Sequence, residues 1–251
     1  MSKIRLISRI DIKNEHVIKG IQFDGLRKLG EPNKFAKNYY NSGIDEILFM
    51  DAVASLYDRN NLYHIINQAC KEIFIPITVG GGIRKIEDIT QALEAGADKV
   101  SVNTQAIKDP NFISAAAKMF GKQCIVGSIE AKKKSDHWEA YIDGGREPTG
   151  KNVIDWAREL QNLGAGEILL TSVDKDGTRA GLDIELINKV SSTLTIPLVV
   201  SGGIGNVDHV DEVCKKCNFD GLAIASILHY NISDINSIKE IMLNNNLRVR
   251  R

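Results

Sequence analysis

The stretch Ile77–Asn103, ITVGGGIRKIEDITQALEAGADKVSVN, decides the fold of this chain. A short apolar run ends in the glycine pair Gly81–Gly82, a segment with helical periodicity follows, and a second apolar run closes the unit. The segment 198–226, LVVSGGIGNVDHVDEVCKKCNFDGLAIAS, repeats this order around the pair Gly202–Gly203. The step between the two pairs is 202 − 81 = 121 residues, which is close to half of the 251-residue chain.

Two further pairs of segments extend the repeat. GIDEILFMD around Glu46 matches GAGEILLTS around Glu167, and 167 − 46 = 121. RIDIKN around Asp11 matches SIEAKK around Glu130, and 130 − 11 = 119. Each half of the chain therefore brings an ionisable residue at one strand end and a glycine turn at another. This layout favours a site for a long ligand with two similar ends.

Short β-rich runs alternate with helical patterns along the whole chain. The predicted strands are Ile4–Ile10, Glu46–Asp51, Ile75–Val79, Lys99–Val102, Gln123–Ile129, Glu167–Ser172, Pro197–Ser201 and Gly221–Ile224. The predicted helices are Pro32–Asn41, Asn60–Lys71, Lys85–Ala95, Pro110–Phe120, Val153–Leu163, Ile184–Ser192, Val207–Lys216 and Ile235–Leu243. The alternation predicts an α/β fold, a (β/α)8 TIM barrel in one domain, 1–251, with half-barrels at about 1–121 and 122–251. A doubly wound open sheet is the alternative, and it explains the repeat less well.

The composition argues against several classes of function. The 32 basic and 32 acidic residues balance, so net charge predicts no nucleic-acid partner. No apolar stretch reaches the roughly 18 residues of a membrane span, and the start MSKIRLISRID is too charged for a signal peptide, so we expect a cytoplasmic protein without a membrane partner. Cys214 and Cys217 form a CxxC motif that is expected to pack in the interior, and no metal or cofactor is predicted.

In a parallel barrel the chemistry lies at the carboxyl ends of the strands. Asp11 and Glu130 end the first and fifth predicted strands on opposite sides of the barrel, and two facing carboxyl groups suit general acid and base roles. The alternative is a pair of solvated acids, or partners for nearby lysines. The longest loop at this face, Lys13–Gly30, is predicted to act as a mobile lid. Its Lys19 would clamp an anionic substrate or remain a solvated surface charge.

Glycine turns at the same face predict two phosphate cradles, because glycine lets backbone N–H groups approach an anion closely. The first cradle consists of Gly81, Gly82, Asn103 and Thr104. The second consists of Gly177, Gly203, Ala225 and Ser226. Ordinary tight turns are the alternative interpretation of these glycines.

Four charged residues of alternating sign lie at or near the starts of strands, at the opposite mouth of the predicted barrel. They are Arg5, Glu46, Lys99 and Glu167. Such residues usually close a barrel floor with ion pairs, and they could also gate a passage into its axis.

Several motifs together resemble the cyclase subunits of imidazole glycerol phosphate synthase, in histidine biosynthesis, over nearly the full length. They are RIDIKN…VIKG, ITVGGGI, ADKVSVNT, GAGEILLTSVDKDGT and SGGIG. The resemblance implies a lyase (cyclase) that converts a bisphosphorylated ribulosyl-formimino-aminoimidazole carboxamide ribotide to imidazole glycerol phosphate, with release of an aminoimidazole carboxamide ribotide. It also implies a heterodimer with a glutaminase subunit, whose ammonia travels along the barrel axis.

The resemblance also implies a role for each matching residue. Asp11 becomes a catalytic acid or base, Glu130 takes the place of a second catalytic aspartate, and Lys19 closes over the substrate. The implied ammonia gate is Arg5, Glu46, Lys99 and Glu167. The implied phosphate sites are Gly82, Asn103 and Thr104 on one side and Asp176, Gly177, Gly203, Ala225 and Ser226 on the other. Asp51, Thr78 and Thr171 would surround the substrate.

The departures from the family pattern are Arg9, Val53, Glu130 and Gly144. Side chains alternate along a strand, so Arg9 is expected to face the barrel interior on the same side as Asp11. A guanidinium inside a barrel requires a partner, for which Asp11 and Glu130 are both candidates, and our hypothesis is that Arg9 pairs with Glu130. These departures leave open a divergent paralogue that works with an amidotransferase on amidino groups of cell-surface sugars, and a non-catalytic barrel that activates a glutaminase. An isomerase that acts on the same kind of bisphosphate is a further alternative, and the four-charge gate argues against it.

Overall fold

The computed structural model describes residues 3–52, 54 and 62–250, in which strands alternate with helices. The strands are β1 Arg5–Lys13, β2 His16–Ile21, β3 Asp24–Gly30, β4 Glu46–Asp51, β5 Ile77–Gly80, β6 Lys99–Val102, β7 Ile125–Lys133, β8 Trp138–Ile142, β9 Glu147–Asn152, β10 Glu167–Ser172, β11 Leu198–Ser201 and β12 Gly221–Ile224. The helices are α1 Pro32–Asn41, α2 Tyr63–Ala69, α3 Ile86–Glu94, α4 Thr104–Lys108, α5 Asn111–Phe120, α6 Val153–Leu163, α7 Ile184–Ser191, α8 Val207–Lys216, α9 Ser226–His229 and α10 Ile235–Asn244. Val53, and the first residues of the helix predicted from Asn60, lie outside the described residues.

Eight of the described strands close into a parallel barrel in the order β1-β4-β5-β6-β7-β10-β11-β12. The barrel closes because β1 pairs in parallel with both β4 and β12. Within the second half of the chain, β7 pairs in parallel with β10, with Glu130 beside Thr171. The two halves meet where β6 pairs with β7 and where β12 pairs with β1. The predicted TIM barrel is therefore confirmed, and the open-sheet alternative is wrong.

The predicted long loop Lys13–Gly30, and a second long stretch without a predicted element, 132–151, fold as antiparallel hairpins instead. After β1 the chain forms β2 and β3, and Ile12 of β1 pairs with Val17 of β2. After β7 it forms β8 and β9. Gln22 and Phe23 both have positive φ at the first hairpin turn, as a two-residue turn of the favoured twist requires. The predicted lid is thus an ordered extension of the barrel sheet.

Two apolar layers result from the alternation of side chains along the strands. Outward-facing residues such as Leu6, Ile47 and Phe49 pack against the helices in a large core. Inward-facing residues form a separate small layer inside the barrel, which consists of Ile7, Leu48, Val126, Leu169, Val199 and Ala223. None of these six is more than 3% exposed, so the middle of the lumen is lined by buried apolar side chains.

The sequence repeat of 121 residues is visible in the geometry of the glycine turns. A Cβ atom on Gly81 would lie 2.2 Å from the carbonyl oxygen of Asp51, and one on Gly202 would lie 2.6 Å from the carbonyl oxygen of Ser172. The two carbonyls are themselves related by 172 − 51 = 121. Both glycines have positive φ. Each turn therefore packs against the end of the preceding barrel strand in the same way, and no residue with a side chain fits there.

A buried ion pair ties the end of the chain to its beginning. Lys239 on α10 lies with its Nζ 2.6 Å from Oδ1 of Asp45, and it also donates to the carbonyl oxygens of Gly43 and Arg250. The other carboxylate oxygen of Asp45 accepts the backbone N–H of Leu6 on β1 at 2.8 Å. The last helix is thereby fixed beneath the first strands.

Of the described helices, none has the length and apolarity that crossing a bilayer requires.

Candidate active site

A cleft opens at the carboxyl ends of the barrel strands, and the predicted catalytic residues line it. Asp11, Glu130 and Lys19 all contribute to its walls, together with Gly82, Asn103 and Thr104 of the first predicted cradle. Asp51 and Asp176 line it as well. The barrel thus brings together residues that are up to 165 positions apart in the chain (176 − 11 = 165).

Asp11 is held between two cations at the centre of the cleft. Arg9 Nε donates to Asp11 Oδ1 at 2.8 Å, and Lys19 Nζ lies 3.5 Å from Asp11 Oδ2. Burial by itself raises the pKa of this carboxyl, but the charges of Arg9 and Lys19 outweigh burial, so its pKa lies below the ordinary value. Asp11 is therefore a fixed anion at neutral pH.

Arg9 faces the barrel interior, as predicted, but the predicted ion pair with Glu130 is wrong. Arg9 donates to Asp11 through Nε and to Thr171 Oγ1 through Nη1 at 3.0 Å. Asp11 is two residues away on the same strand, so its carboxylate is already beside the guanidinium. Glu130 acts on Arg9 through space as a weaker influence on its pKa.

Glu130 is in a contrasting environment. Its Oε2 accepts the backbone N–H of Gly145, in the turn of the second hairpin, at 2.7 Å. Burial raises the pKa of this carboxyl to about 7, against the opposing effects of the Gly145 N–H and of Arg9. Glu130 therefore changes its protonation state near neutral pH, whereas Asp11 does not. Two carboxyl groups with such separated pKa values suit acid and base roles.

Lys19 is buried, so the interpretation of this residue as a solvated surface charge is wrong. Its side chain is 3% exposed, and its Nζ donates to both carboxylate oxygens of Asp176, at 3.0 and 2.8 Å. The partner is 157 residues away in sequence. Lys19 and Asp176 thus join the first hairpin to the loop after β10.

The first predicted cradle lies open to the cleft. Gly82 follows β5, and Asn103 and Thr104 follow β6, so parallel strands bring them to one edge. Sequence reasoning missed three basic residues that line this side of the cleft, namely Arg84, Lys108 and Arg146. Arg84 and Lys108 each follow a predicted cradle residue by a few positions, and that spacing was the available signal. An anionic group would meet cationic side chains here in addition to backbone N–H groups.

The second predicted cradle lies against the first hairpin. A Cβ atom on Gly177 would lie 2.1 Å from the carbonyl oxygen of Gly20. Gln22 donates its backbone N–H to the Asp176 carbonyl oxygen at 2.8 Å. The remaining members, Gly203, Ala225 and Ser226, lie at the ends of β11 and β12. The hairpin therefore covers the Asp176–Gly177 turn in this conformation.

The four charged residues of the opposite mouth form a closed ring of ion pairs. Arg5 reaches Glu46 at 2.8 Å and Glu167 at 2.6 Å. Lys99 reaches the same two carboxylates at 2.6 and 3.1 Å. Thr78, which the resemblance placed beside the substrate, donates to Glu46 in this ring at 2.7 Å instead. Its position early in β5 puts it at the floor of the barrel and away from the cleft.

The fold and the cleft define a (β/α)8-barrel enzyme. The family model described as histidine biosynthesis protein matches residues 5–234. The chain belongs to this family, which confirms the resemblance that the motifs predicted.

Curated relatives make the assignment more specific. A Legionella pneumophila protein named imidazole glycerol phosphate synthase subunit HisF is 54% identical over 209 residues, which cover 83% of this chain and 99% of that protein. HisF subunits of Lactococcus lactis and Myxococcus xanthus are 46% and 42% identical, and each alignment covers 98% of this chain and at least 96% of the relative. These names favour the cyclase subunit over the sugar-modifying paralogue and the non-catalytic barrel.

Proposed function

We propose that this chain is the cyclase subunit of imidazole glycerol phosphate synthase, and that it converts the bisphosphorylated ribulosyl-formimino ribotide to imidazole glycerol phosphate. The observation that carries the proposal is the pair of carboxyl groups in one cleft, Asp11 and Glu130, with environments that separate their pKa values. The first predicted cradle lies in the same cleft. The relatives named above support the same activity.

In this reaction Glu130 is the group that gives and takes protons. Ammonia would attack the ketone carbonyl with loss of water, and the imidazole ring would then close as the formimino C–N bond breaks and aminoimidazole carboxamide ribotide leaves. Each of these steps requires proton transfers, and a group with a pKa of about 7 performs both directions at neutral pH. Asp11 stays ionised, so it stabilises positive charge that develops on nitrogen and orients the donors of the substrate. Lys19, on the first hairpin, has its Nζ 3.5 Å from Asp11 Oδ2, and its positive charge stabilises the ionised carboxylate.

The ligand is held by its two phosphate ends. One phosphate would bind at Gly82, Asn103 and Thr104, where Arg84, Lys108 and Arg146 add positive charge. The other would bind at Gly177, Gly203, Ala225 and Ser226, next to Asp176. For the second phosphate the hairpin must move, because Gly20 now lies against Gly177. Lys19, released from Asp176 by that movement, would then be available to the anionic substrate.

The partner in this proposal is a glutaminase subunit that docks at the floor of the barrel and forms a heterodimer. The ring of Arg5, Glu46, Lys99 and Glu167 lies at the entrance of the axis. The apolar layer above it offers no hydrogen-bond partners to an ion, so a neutral molecule such as ammonia is the species that this route suits.

Turnover with ammonium salt tests the cyclase activity without the partner. The purified chain is mixed with the bisphosphate, and the loss of substrate absorbance is followed. Asp11→Asn is expected to lower turnover by about 10²–10³-fold, because the fixed anion that stabilises developing positive charge is lost. A rate at background for the unaltered chain would refute the proposal.

The control is Glu94→Gln on the exposed face of α3, far from the cleft. This substitution removes one carboxylate as Asp11→Asn does, so it should leave turnover unchanged. An equal loss in both variants would assign the effect of Asp11→Asn to net charge and would argue against a role in the site.

A further inference from the structure

The side chain of Arg9 crosses the lumen of the barrel. Arg9 belongs to β1, and its Nη1 donates to Thr171 on β10 at 3.0 Å. In the barrel order, β12 and β11 lie between these two strands, so the bond joins strands that are not neighbours. The whole side chain is buried, and it lines the cleft from below. Phe23 of the first hairpin lies over the guanidinium, 5.4 Å from ring centroid to Cζ.

A second arginine of β1 makes the equivalent crossing at the floor of the barrel. Arg5 reaches Glu167 on β10, and the sequence separation of 162 residues equals that between Arg9 and Thr171. The two crossings are four residues apart on both strands (9 − 5 = 4 and 171 − 167 = 4). At the rise of a strand they lie roughly 13 Å apart along the strands.

The apolar layer of Ile7, Leu48, Val126, Leu169, Val199 and Ala223 occupies the level between the two arginines. Above it lies Arg9 with Asp11, and below it lies the ion-pair ring with Arg5. We call the interior at the level of this layer the apolar chamber, and a charged crossing lies at each end of it. The sequence predicted an arginine at both levels, but it predicted the wrong partner for Arg9.

We propose that Arg9 is a second closure of the barrel axis, which separates the apolar chamber from the cleft. That the molecule passing it is ammonia rests on the function proposed above, but the closure itself does not. Arg9 is anchored at Thr171 and at Asp11, and Asp11 lines the cleft. A ligand in the cleft that donates hydrogen bonds to Asp11 therefore competes with the guanidinium for this anchor. Occupation of the cleft would then open the chamber, and an empty cleft would keep it shut.

Access of a small reagent to the chamber tests the closure directly. Ala223, 2% exposed in the apolar layer, is changed to cysteine, and its reaction with methyl methanethiosulfonate is followed by peptide mass spectrometry. With Arg9 present the thiol should react slowly. In Ala223→Cys combined with Arg9→Ala it should react at least about tenfold faster, because thiol reactivity depends on exposure. Native Cys124, outside the lumen, serves as the internal reference.

Arg9→Lys is the matched variant. It keeps a positive charge beside Asp11, but an ammonium group cannot hold Asp11 and Thr171 at once as the forked guanidinium does. If Arg9→Ala does not fold, as near-ultraviolet circular dichroism would show, Arg9→Lys decides the question in its place.

Two results would overturn the proposal. One is fast modification of Ala223→Cys with Arg9 in place, and the other is an unchanged slow rate after Arg9 is replaced. Neither result depends on substrate, partner or turnover. A negative cyclase assay would therefore not affect the conclusion about Arg9, and a negative result for Arg9 would not affect the conclusion about cyclase activity.

Discussion

At the scale of single residues, the cleft separates two carboxyl groups that have nearly the same chemistry. Asp11 has Arg9 and Lys19 within 3.5 Å, while Glu130 is partly buried and interacts with the Gly145 N–H and the Asn103 side chain, with no cation among the described residues bonded to it. The first carboxyl is kept ionised and the second is kept partly protonated. The difference in pKa comes from the neighbouring groups and not from the two side chains themselves. Because a pKa that changes on folding makes stability depend on pH, the difference can be measured.

Glu130→Gln should stabilise the protein at about pH 8 and change it little at about pH 5. In the folded chain the pKa of Glu130 is raised to about 7 from 4.5, so the penalty for its burial grows as the pH rises through that window and is complete above it. Two and a half pKa units correspond to about 3 kcal/mol. Gln keeps an oxygen for the Gly145 N–H. Apparent Tm measured at both pH values checks this.

Comparing Glu130→Gln with the unaltered chain also removes the contribution of His229 to the pH dependence of stability. Burial lowers the pKa of His229 to about 4 from 6.5, so its own contribution to stability rises with pH across that range and opposes that of Glu130. His229 is the same in both proteins, so its effect cancels in the difference. A difference in Tm that is equal at both pH values would contradict the raised pKa of Glu130.

Sequence reasoning predicted which side chains line the cleft better than it predicted their partners. Alternation along β1 was enough to place Arg9 and Asp11 on the inner side. The partner of Arg9 was predicted as Glu130, because sequence gives no distance across the barrel. Lys19 shows the same limit, since Asp176 lies 157 residues away and only the closed barrel brings the two together.

At the scale of elements, the first hairpin is the part of the cleft that covers the second predicted cradle. It is joined to the barrel by the short β1–β2 pairing and by contacts with the Asp176–Gly177 turn. Gly177 has φ 71°, and a Cβ atom there would lie 2.1 Å from the Gly20 carbonyl oxygen. A side chain added at Gly177 would therefore collide with the backbone of the hairpin.

Gly177→Ala should therefore displace the hairpin from the second cradle. Trypsin cleavage at the exposed Arg27 and Lys28 of β3 is expected to become several times faster than in the unaltered chain. The matched control is Gly150→Ala, because Gly150 has φ 72° but nothing within 4 Å of an added Cβ. Both variants carry the strain of a positive φ, so equal cleavage rates in the two would mean that the collision does not move the hairpin.

Element boundaries were predictable where buried runs are sharply bounded. β4, β6, β10 and β12 agree with the prediction residue for residue, as do α1, α6 and α8. The hairpin strands were missed because β3 and β9 are largely exposed and lack the alternation of a half-buried strand. β1 and β7 were predicted too short at their carboxyl ends, since the antiparallel partners that extend them were not foreseen.

At the scale of the whole molecule, the closure of the barrel depends on one buried pair as well as on the sheet. Lys239 and Asp45 connect α10 to the start of β4, and Asp45 also holds the N–H of Leu6. Neither side chain is more than 9% exposed. Loss of one partner would leave the other charge buried without compensation.

Lys239→Met is expected to destabilise the folded state by about 3–5 kcal/mol, because the Asp45 carboxylate would remain buried next to Leu6 and β4. Urea unfolding at neutral pH measures this. Lys216→Met is the control, since Lys216 pairs with Glu212 at 2.7 Å on the exposed face of α8 and should matter little. A similar loss in both variants would show that the buried pair contributes no more than a surface pair.

The unequal state of the two glycine turns gives the molecule a polarity that its repeated sequence conceals. The turn at Gly82 faces the cleft, whereas Gly177 lies beneath the first hairpin. A ligand with two phosphates should consequently dock in order, its first end at Gly82 and its second only after the hairpin lifts. An inhibitor with a single phosphate would occupy the Gly82 side alone, so a chain with a repeated sequence would take up its ligand from one end only.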